Sequence, residues 1–252
     1  MENTSLLIKY LNELNIEHDE RMIGRFVEFH QLLTEWNSFM NLTAITEWDD
    51  VVLKHFADSL SIVKAGDKVT DLSFFDKDKR SGIKVLDVGT GAGFPGIPLK
   101  IAFPEFDITL LDSLKKRVGF LDEVINKLEL KDINAVHGRA ETYAHDPSYR
   151  QAFDFVVSRA VANLTVLSEL CLPYVKVGGY FVSYKSEKAD EEIVSAAKAI
   201  ELLGGRFIDD IVFELPGSDM RRDLVVIYKE KETPKKYPRK EGTPAKSPLC
   251  SV

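Results

Sequence analysis

Apolar residues recur at steps of three and four over roughly the first sixty positions, then give way to short apolar runs divided by polar turns. Met22, Phe26, Phe29, Leu33, Trp36 and Met40 form one stripe at helical spacing, so this segment reads as an amphipathic helix whose Met and Trp side chains belong to a core. Thr4 or Ser5 is the expected cap of a preceding helix, Asn37 to Thr43 is a polar break, and a third helix is expected from about Glu47 to Leu60. Beyond a charged stretch from Lys64 to Gly82, strands alternate with helices: Lys84 to Gly89, Asp107 to Asp112, Ile133 to Val136, Phe153 to Ser158 and Gly178 to Tyr184. Leu114, Val118, Leu121, Ile125 and Leu128 mark a crossover helix after the second run, with Ser113 as its expected cap. Gly204-Gly205 stops a helix from about Asp190 to Leu203, and the runs Phe207 to Leu215 and Asp223 to Tyr228 are suited to a closing hairpin.

The first strand leads into Gly89-Thr90-Gly91-Ala92-Gly93-Phe94-Pro95-Gly96. Glycines here remove the side chains that would keep a ligand off the backbone, and Pro95 suits a first helical turn, so the element reads as a nucleotide-cofactor loop. Its spacing also fits the dinucleotide motif G-x-G-x-x-G. Asp87 favours S-adenosylmethionine over a nicotinamide cofactor, because a carboxylate there repels a pyrophosphate and welcomes an ammonium. Asp112 ends the second strand, where a carboxylate meets a ribose diol common to both cofactors. Seven strands closed by a hairpin are the plan of class I S-adenosylmethionine-dependent methyltransferases. The expected fold is therefore α/β and Rossmann-like, a mostly parallel seven-stranded sheet with an N-terminal helical extension. Residues 1–62 form that helical segment, 63–232 the main domain and 233–252 a basic tail.

Composition narrows the picture. No apolar run approaches the roughly 20 residues that span a bilayer, and Met1-Glu2-Asn3-Thr4 opens no basic-then-apolar leader, so a cytoplasmic protein is expected. Cys171 and Cys250 share no metal-type spacing with the histidines, and no metal site is read. The net charge of -7 argues against a nucleic-acid partner, yet seven basic residues against three acids between Lys229 and Lys246 put +4 on the tail and leave -11 on the rest. That arm is either a solvated solubility tail or an RNA contact, the second reading helped by Tyr237 as a base-stacking ring. Four of the ten prolines lie beyond Thr233, so no fixed structure is expected there.

The acceptor is narrowed by what the chain lacks. No two prolines adjoin, which excludes the Pro-Pro-aromatic element of exocyclic-amine methylation; Ser158-Arg159-Ala160-Val161 stands after the fourth strand instead. Cys171 follows Leu170 rather than a proline, and reads as a buried small hydrophobe rather than a pyrimidine-attacking thiolate. What remains is a nucleophile with a free lone pair, such as N7 of guanine, for which alignment suffices.

Trp36-Asn37 with Asn41-Leu42-Thr43, His55 through Leu60, Asp87 through Pro98, Leu111 through Arg117, Gly138-Arg139-Ala140-Glu141, Ser158-Arg159-Ala160 and Tyr237 through Pro244 stand in an order and spacing that resemble the RsmG (GidB) methyltransferases. The resemblance covers nearly the whole chain. It implies methylation of guanine N7 in the 530 loop of 16S ribosomal RNA, within the small subunit or an assembly intermediate, with no catalytic side chain. It also implies S-adenosylmethionine contacts at Gly89, Gly91, Phe94, Asp112, Ser113, Ala140, Glu141 and Arg159. Glu141 reads equally as a helix N-terminal acid, and Arg159 needs an anionic partner, either the methionine carboxylate or an RNA phosphate. Arg139, Lys185 and Arg221 are the expected RNA contacts. Lys115, Lys116 and Arg117 read as well as an exposed helix face, His55 as packing, and Asn37 and Asn41 as caps or turns. The alternatives are a nicotinamide-dependent oxidoreductase and a non-catalytic RNA chaperone that keeps the pocket.

Overall fold

The computed structural model describes residues 2–69, 80–159, 162–186 and 189–249. Part of the charged stretch after Lys64, Ala160 and Val161 of the post-strand motif, and Cys250 lie outside the described residues. Helices α1 (Ser5–Glu13) and α2 (Glu20–Met40) open the chain. Asp19 caps α2 by accepting from Met22 N, and α2 extends into the expected polar break as far as Met40, where Asn41 turns it off in the left-handed region. At the head of α1 the Asn3 side chain accepts from Ser5 N, so neither Thr4 nor Ser5 supplies the side-chain cap. The third helical segment is interrupted: α3 (Trp48–Val51) passes through a π-helical stretch (Val52–Ala57) into α4 (Asp58–Leu60), followed by α5 (Val63–Lys68).

The Rossmann-like half follows with β1 (Lys84–Val88), α6 (Gly96–Ala102), β2 (Asp107–Asp112), α7 (Lys115–Lys127), β3 (Ile133–His137) and α8 (Ala140–Tyr143). It continues with β4 (Phe153–Arg159), α9 (Leu164–Cys171), β5 (Val175–Lys185), α10 (Ala189–Leu202), β6 (Gly205–Glu214), β7 (Arg221–Lys229) and α11 (Thr243–Lys246). Among the described residues the strands form one seven-stranded sheet in the order β3-β2-β1-β4-β5-β7-β6, parallel except where β7 pairs antiparallel with β5 and β6. The expected class I methyltransferase plan and its closing hairpin are both present. The chain leaves β1 toward β2 on one side and reaches β4 on the other, which opens a crevice at the carboxyl ends of these strands.

Period-two alternation sorts the strand residues between two cores. Val85, Ile108, Leu110, Phe155 and Val157 face a cluster with α6, α7 and the N-terminal helices, where Phe26, Phe29 and Leu33 are fully buried. Leu86, Val88, Leu111, Val156 and Phe181 face α9 and α10 on the opposite side. Two local readings change. Ser113 makes no cap on α7, and the Asp112 carboxylate accepts Leu114 N instead; Leu114 itself is exposed rather than part of the buried stripe.

The C-terminal segment is the larger difference. Tyr237 is buried in the second cluster, and the Arg150 guanidinium donates to the carbonyls of Thr233 (2.7 Å), Tyr237 (3.0 Å) and Pro234 (3.3 Å). Lys229 is buried, donates to Leu172 O and Thr233 Oγ1, and is pushed down to about 7 by that burial. Proline spacing suggested a structureless tail, whereas satisfying these buried donors requires a fixed one.

Candidate functional site

A cavity of about 580 Å³ opens at the crevice, lined on one side by the loop after β1. Gly89 and Gly91 hold positive φ of 72° and 62° there, a conformation that leaves bare backbone facing the cavity. Gly93 serves packing instead: it does not line the cavity, and a Cβ on it would lie 2.6 Å from Ile97 Cγ1. The helix starts one residue after Pro95, at Gly96. Gly96 is pressed against β2, with a Cβ 2.2 Å from Leu110 Cδ2.

Asp87 ties the loop together from beneath. It is completely buried and outside the cavity lining, and its Oδ2 accepts from Thr90 Oγ1 (2.6 Å) and Gly96 N (2.9 Å). Burial raises its pKa to about 6 against the pull of those two hydrogen bonds. The carboxylate expected to greet an ammonium is therefore a brace that fixes the loop to the first turn of α6. Asp112 braces the same loop from the other strand. Its Oδ2 accepts Gly91 N (2.9 Å), its Oδ1 accepts Leu114 N (2.8 Å), and Arg117 Nη1 stands 3.5 Å from Oδ2.

Beyond Asp112 the cavity is lined by Ser113, Arg117, Gly138, Arg139, Ala140 and Glu141. Gly138 is forced by its neighbour, since a Cβ there would lie 2.2 Å from Tyr143 Cε2. Glu141 lies in the first turn of α8, and its Oε1 accepts Gly242 N at 2.9 Å. Arg139 is exposed at the rim. Lys115 and Lys116 are exposed, and Arg117 alone of that basic trio reaches the cavity.

At the far end stand Phe94, His55 and Arg159. The His55 ring stacks on Phe94 with centroids 4.4 Å apart, and the Arg159 guanidinium lies 5.1 Å above the same phenyl ring. Arg159 does not wait for an external anion: Nη1 donates to Asp58 Oδ2 at 2.8 Å and to Lys54 O at 3.2 Å. Arg222 Nε donates to the other oxygen, Asp58 Oδ1, at 2.9 Å. Asp58 is thus the hub that two guanidinia share across the sheet's carboxyl edge. His55 Nδ1 lies 3.2 Å from Arg159 Nη2 and 3.1 Å from the Lys54 carbonyl, and Nε2 lies 3.0 Å from Thr43 Oγ1, so both ring nitrogens are engaged. Burial and then the neighbouring guanidinium push His55 down to about 3, so the ring is neutral at ordinary pH.

The fold thus brings Gly89, Gly91, Phe94, Asp112, Ser113, Ala140, Glu141, Arg159 and Arg139 around one cavity. Lys185 and Arg221 lie elsewhere. The Lys185 ammonium is nearly buried, 2.7 Å from Glu192 Oε2 and from Ala162 O, in a smaller neighbouring hollow that shares His55 and Arg159. Arg221 is half exposed at the start of β7, 4.0 Å from both Asp190 and Asp223. Tyr237 is buried and cannot stack on a base, and Arg239 is engaged by Glu169. The sequence reading passed over Thr43, His55 and Asp58. A signal was available: His55 and Asp58 are ionisable residues three apart among the apolar positions Val51, Val52, Phe56, Ala57 and Leu60.

Residues 22–209 match the family model described as GidB, rRNA small subunit methyltransferase G. The chain is 52% identical over 249 residues to the ribosomal RNA small subunit methyltransferase G of Lachnoclostridium phytofermentans, covering 99% of this chain and 98% of that one. Proteins of the same name from Clostridium novyi (49% identity, 94% and 93% coverage) and Lactococcus lactis (47%, 95% and 96%) are similarly close.

Proposed function

The chain belongs to the rRNA small subunit methyltransferase G family, and from that premise we propose that it methylates N7 of a guanine in the 530 loop of 16S ribosomal RNA. S-adenosylmethionine is the cofactor of the class, and the cavity suits it. Its volume lies within the roughly 300–1,000 Å³ of small-molecule sites. Gly89 and Gly91 leave backbone for the methionine portion, Asp112 keeps lone pairs for a ribose diol, and Ala140 beside Glu141 offers a small surface and an acceptor for adenine. When bound, that cofactor supplies a methyl carbon activated by its sulfonium.

The observation that carries the N7 reading is the state of the residues at the Phe94 end. An acceptor bearing a proton needs a base there, and His55, held at about 3, is too weak to remove one near neutral pH. Arg159 is a cation paired with Asp58, a carboxylate that it shares with Arg222. What these residues provide is a fixed wall: His55 stacks on the buried Phe94 ring, and the Asp58 clamp holds the guanidinium in place over Phe94. A nucleophile with a free lone pair asks for nothing more. Arg139 and Arg117, at the rim and wall, are the basic groups we assign to RNA phosphate. Small-subunit particles incubated with methyl-labelled S-adenosylmethionine, followed by mass mapping of the rRNA, test the reading. The expected product is a single 7-methylguanine in the 530 loop. Label on another atom, or in another region of the RNA, overturns it.

A further inference from the structure

The C-terminal segment does more than cover the second core, because Gly242 and Ala245 line the same cavity as the glycine loop. Its hold on the body is specific. Arg239 donates from Nε (2.9 Å) and Nη2 (2.6 Å) to the two oxygens of Glu169, and its backbone N donates to Oε1 at 2.8 Å. Glu169 is 1% exposed on α9, so without Arg239 it would be a buried, unpaired carboxylate. Its neighbours on that helix, Val166 and Leu170, line the cavity. Three residues past Arg239, the chain turns through Gly242 at a φ of 72° and delivers its N–H to Glu141, while Glu241 accepts from Thr142 Oγ1 at 2.5 Å. Upstream, Pro238 O lies 2.9 Å from His145 Nε2, so the segment is pinned on both sides of the contact.

We propose that residues 239–246 form the outer wall of the cofactor cavity, with the Gly242 amide fixing the Glu141 carboxylate for the adenosyl end of S-adenosylmethionine. The inference rests on the methyltransferase reading above, and makes the tail a cofactor-positioning element rather than an RNA arm or a solubility appendage. A carboxylate on a short helix is free to rotate; one oxygen tied to Gly242 leaves the other aimed. Ala245, small and cavity-facing, leaves room at that wall.

The test is S-adenosylmethionine affinity by isothermal titration calorimetry for the full chain and for a chain ending at Pro238, which keeps Thr233, Pro234 and Tyr237 on Arg150. Glu169→Gln is added to the shortened chain so that no buried charge is left unpaired, and circular dichroism checks that it remains folded. Ala245→Trp in the full chain is the second variant, which fills the wall without removing any anchor. Roughly tenfold or greater loss of affinity is expected in both, with adenosine binding weakened in parallel. Unchanged affinity for S-adenosylmethionine in the folded shortened chain and in Ala245→Trp overturns the inference alone. Absence of binding by the full chain overturns the methyltransferase reading and this inference with it.

Discussion

Asp58 stands between two guanidinia, and removing it should cost far more than removing either partner. In Asp58→Ala, Arg159 and Arg222 lose their shared counter-ion while their side chains are only 13% and 20% exposed. Breaking a buried ion pair from the side that leaves charges uncompensated costs about 3–5 kcal/mol, and here two like charges are left facing each other. In Arg159→Ala, Asp58 keeps Arg222 at 2.9 Å, so the loss is that of a hydrogen bond between charged groups, about 1.5–3 kcal/mol. Against a domain stability of about 5–15 kcal/mol the first change is severe and the second tolerable. Equilibrium urea unfolding followed by far-ultraviolet circular dichroism measures both, with an unchanged slope required for the comparison. The Arg159→Ala and Arg222→Ala losses should also fail to add, because each leaves the other arginine on the same carboxylate. If Arg159→Ala destabilises the protein as much as Asp58→Ala, the hub description is wrong.

His55→Phe keeps the stack on Phe94 and loses the imidazole nitrogens, so single-turnover methylation should fall less than in His55→Ala; a larger fall in the phenylalanine variant would mean that the ring nitrogens act in the reaction. The folded-state pKa of His55 lies below the unfolded value, so the folded state binds fewer protons and this residue's stability contribution, full above about 6.5, is lost as pH falls toward about 3. Thermal melts of wild type and His55→Phe should converge on acidification across that window, and parallel curves would refute it. Asp87 runs oppositely: its folded pKa of about 6 lies above the usual carboxylate value, so its contribution is fullest below about 4 and declines as pH rises through 6. Asp87→Asn retains an acceptor for Thr90 and Gly96, and should melt higher than Asp87→Ala; the reverse order would contradict the brace. Gly96→Ala drives a methyl into Leu110, so a loss of about 1–3 kcal/mol by urea unfolding is expected, and an unchanged midpoint would show that β2 yields freely.

Strand positions, the crossover helix and the sheet plan follow from the sequence alone, because apolar periodicity is a local consequence of which face is buried. The alternation that sends Val85 to one core and Leu86 to the other is legible in four residues. The glycine loop and Asp112 were legible for the same reason: backbone conformation at Gly89 and Gly91 is a property of the residue itself. Tertiary structure alone decided how the charges pair. Arg159 finds Asp58 from 101 residues away, Glu169 finds Arg239 from 70, and Glu141 finds Gly242 from 101. No periodicity encodes such partnerships, since a buried charge specifies only that it must be paired and leaves the partner to the packing. For that reason Asp87 read as a ligand contact and proved a loop brace, and a proline-rich, basic tail that looked solvated is held against the cavity by groups that could not otherwise be buried.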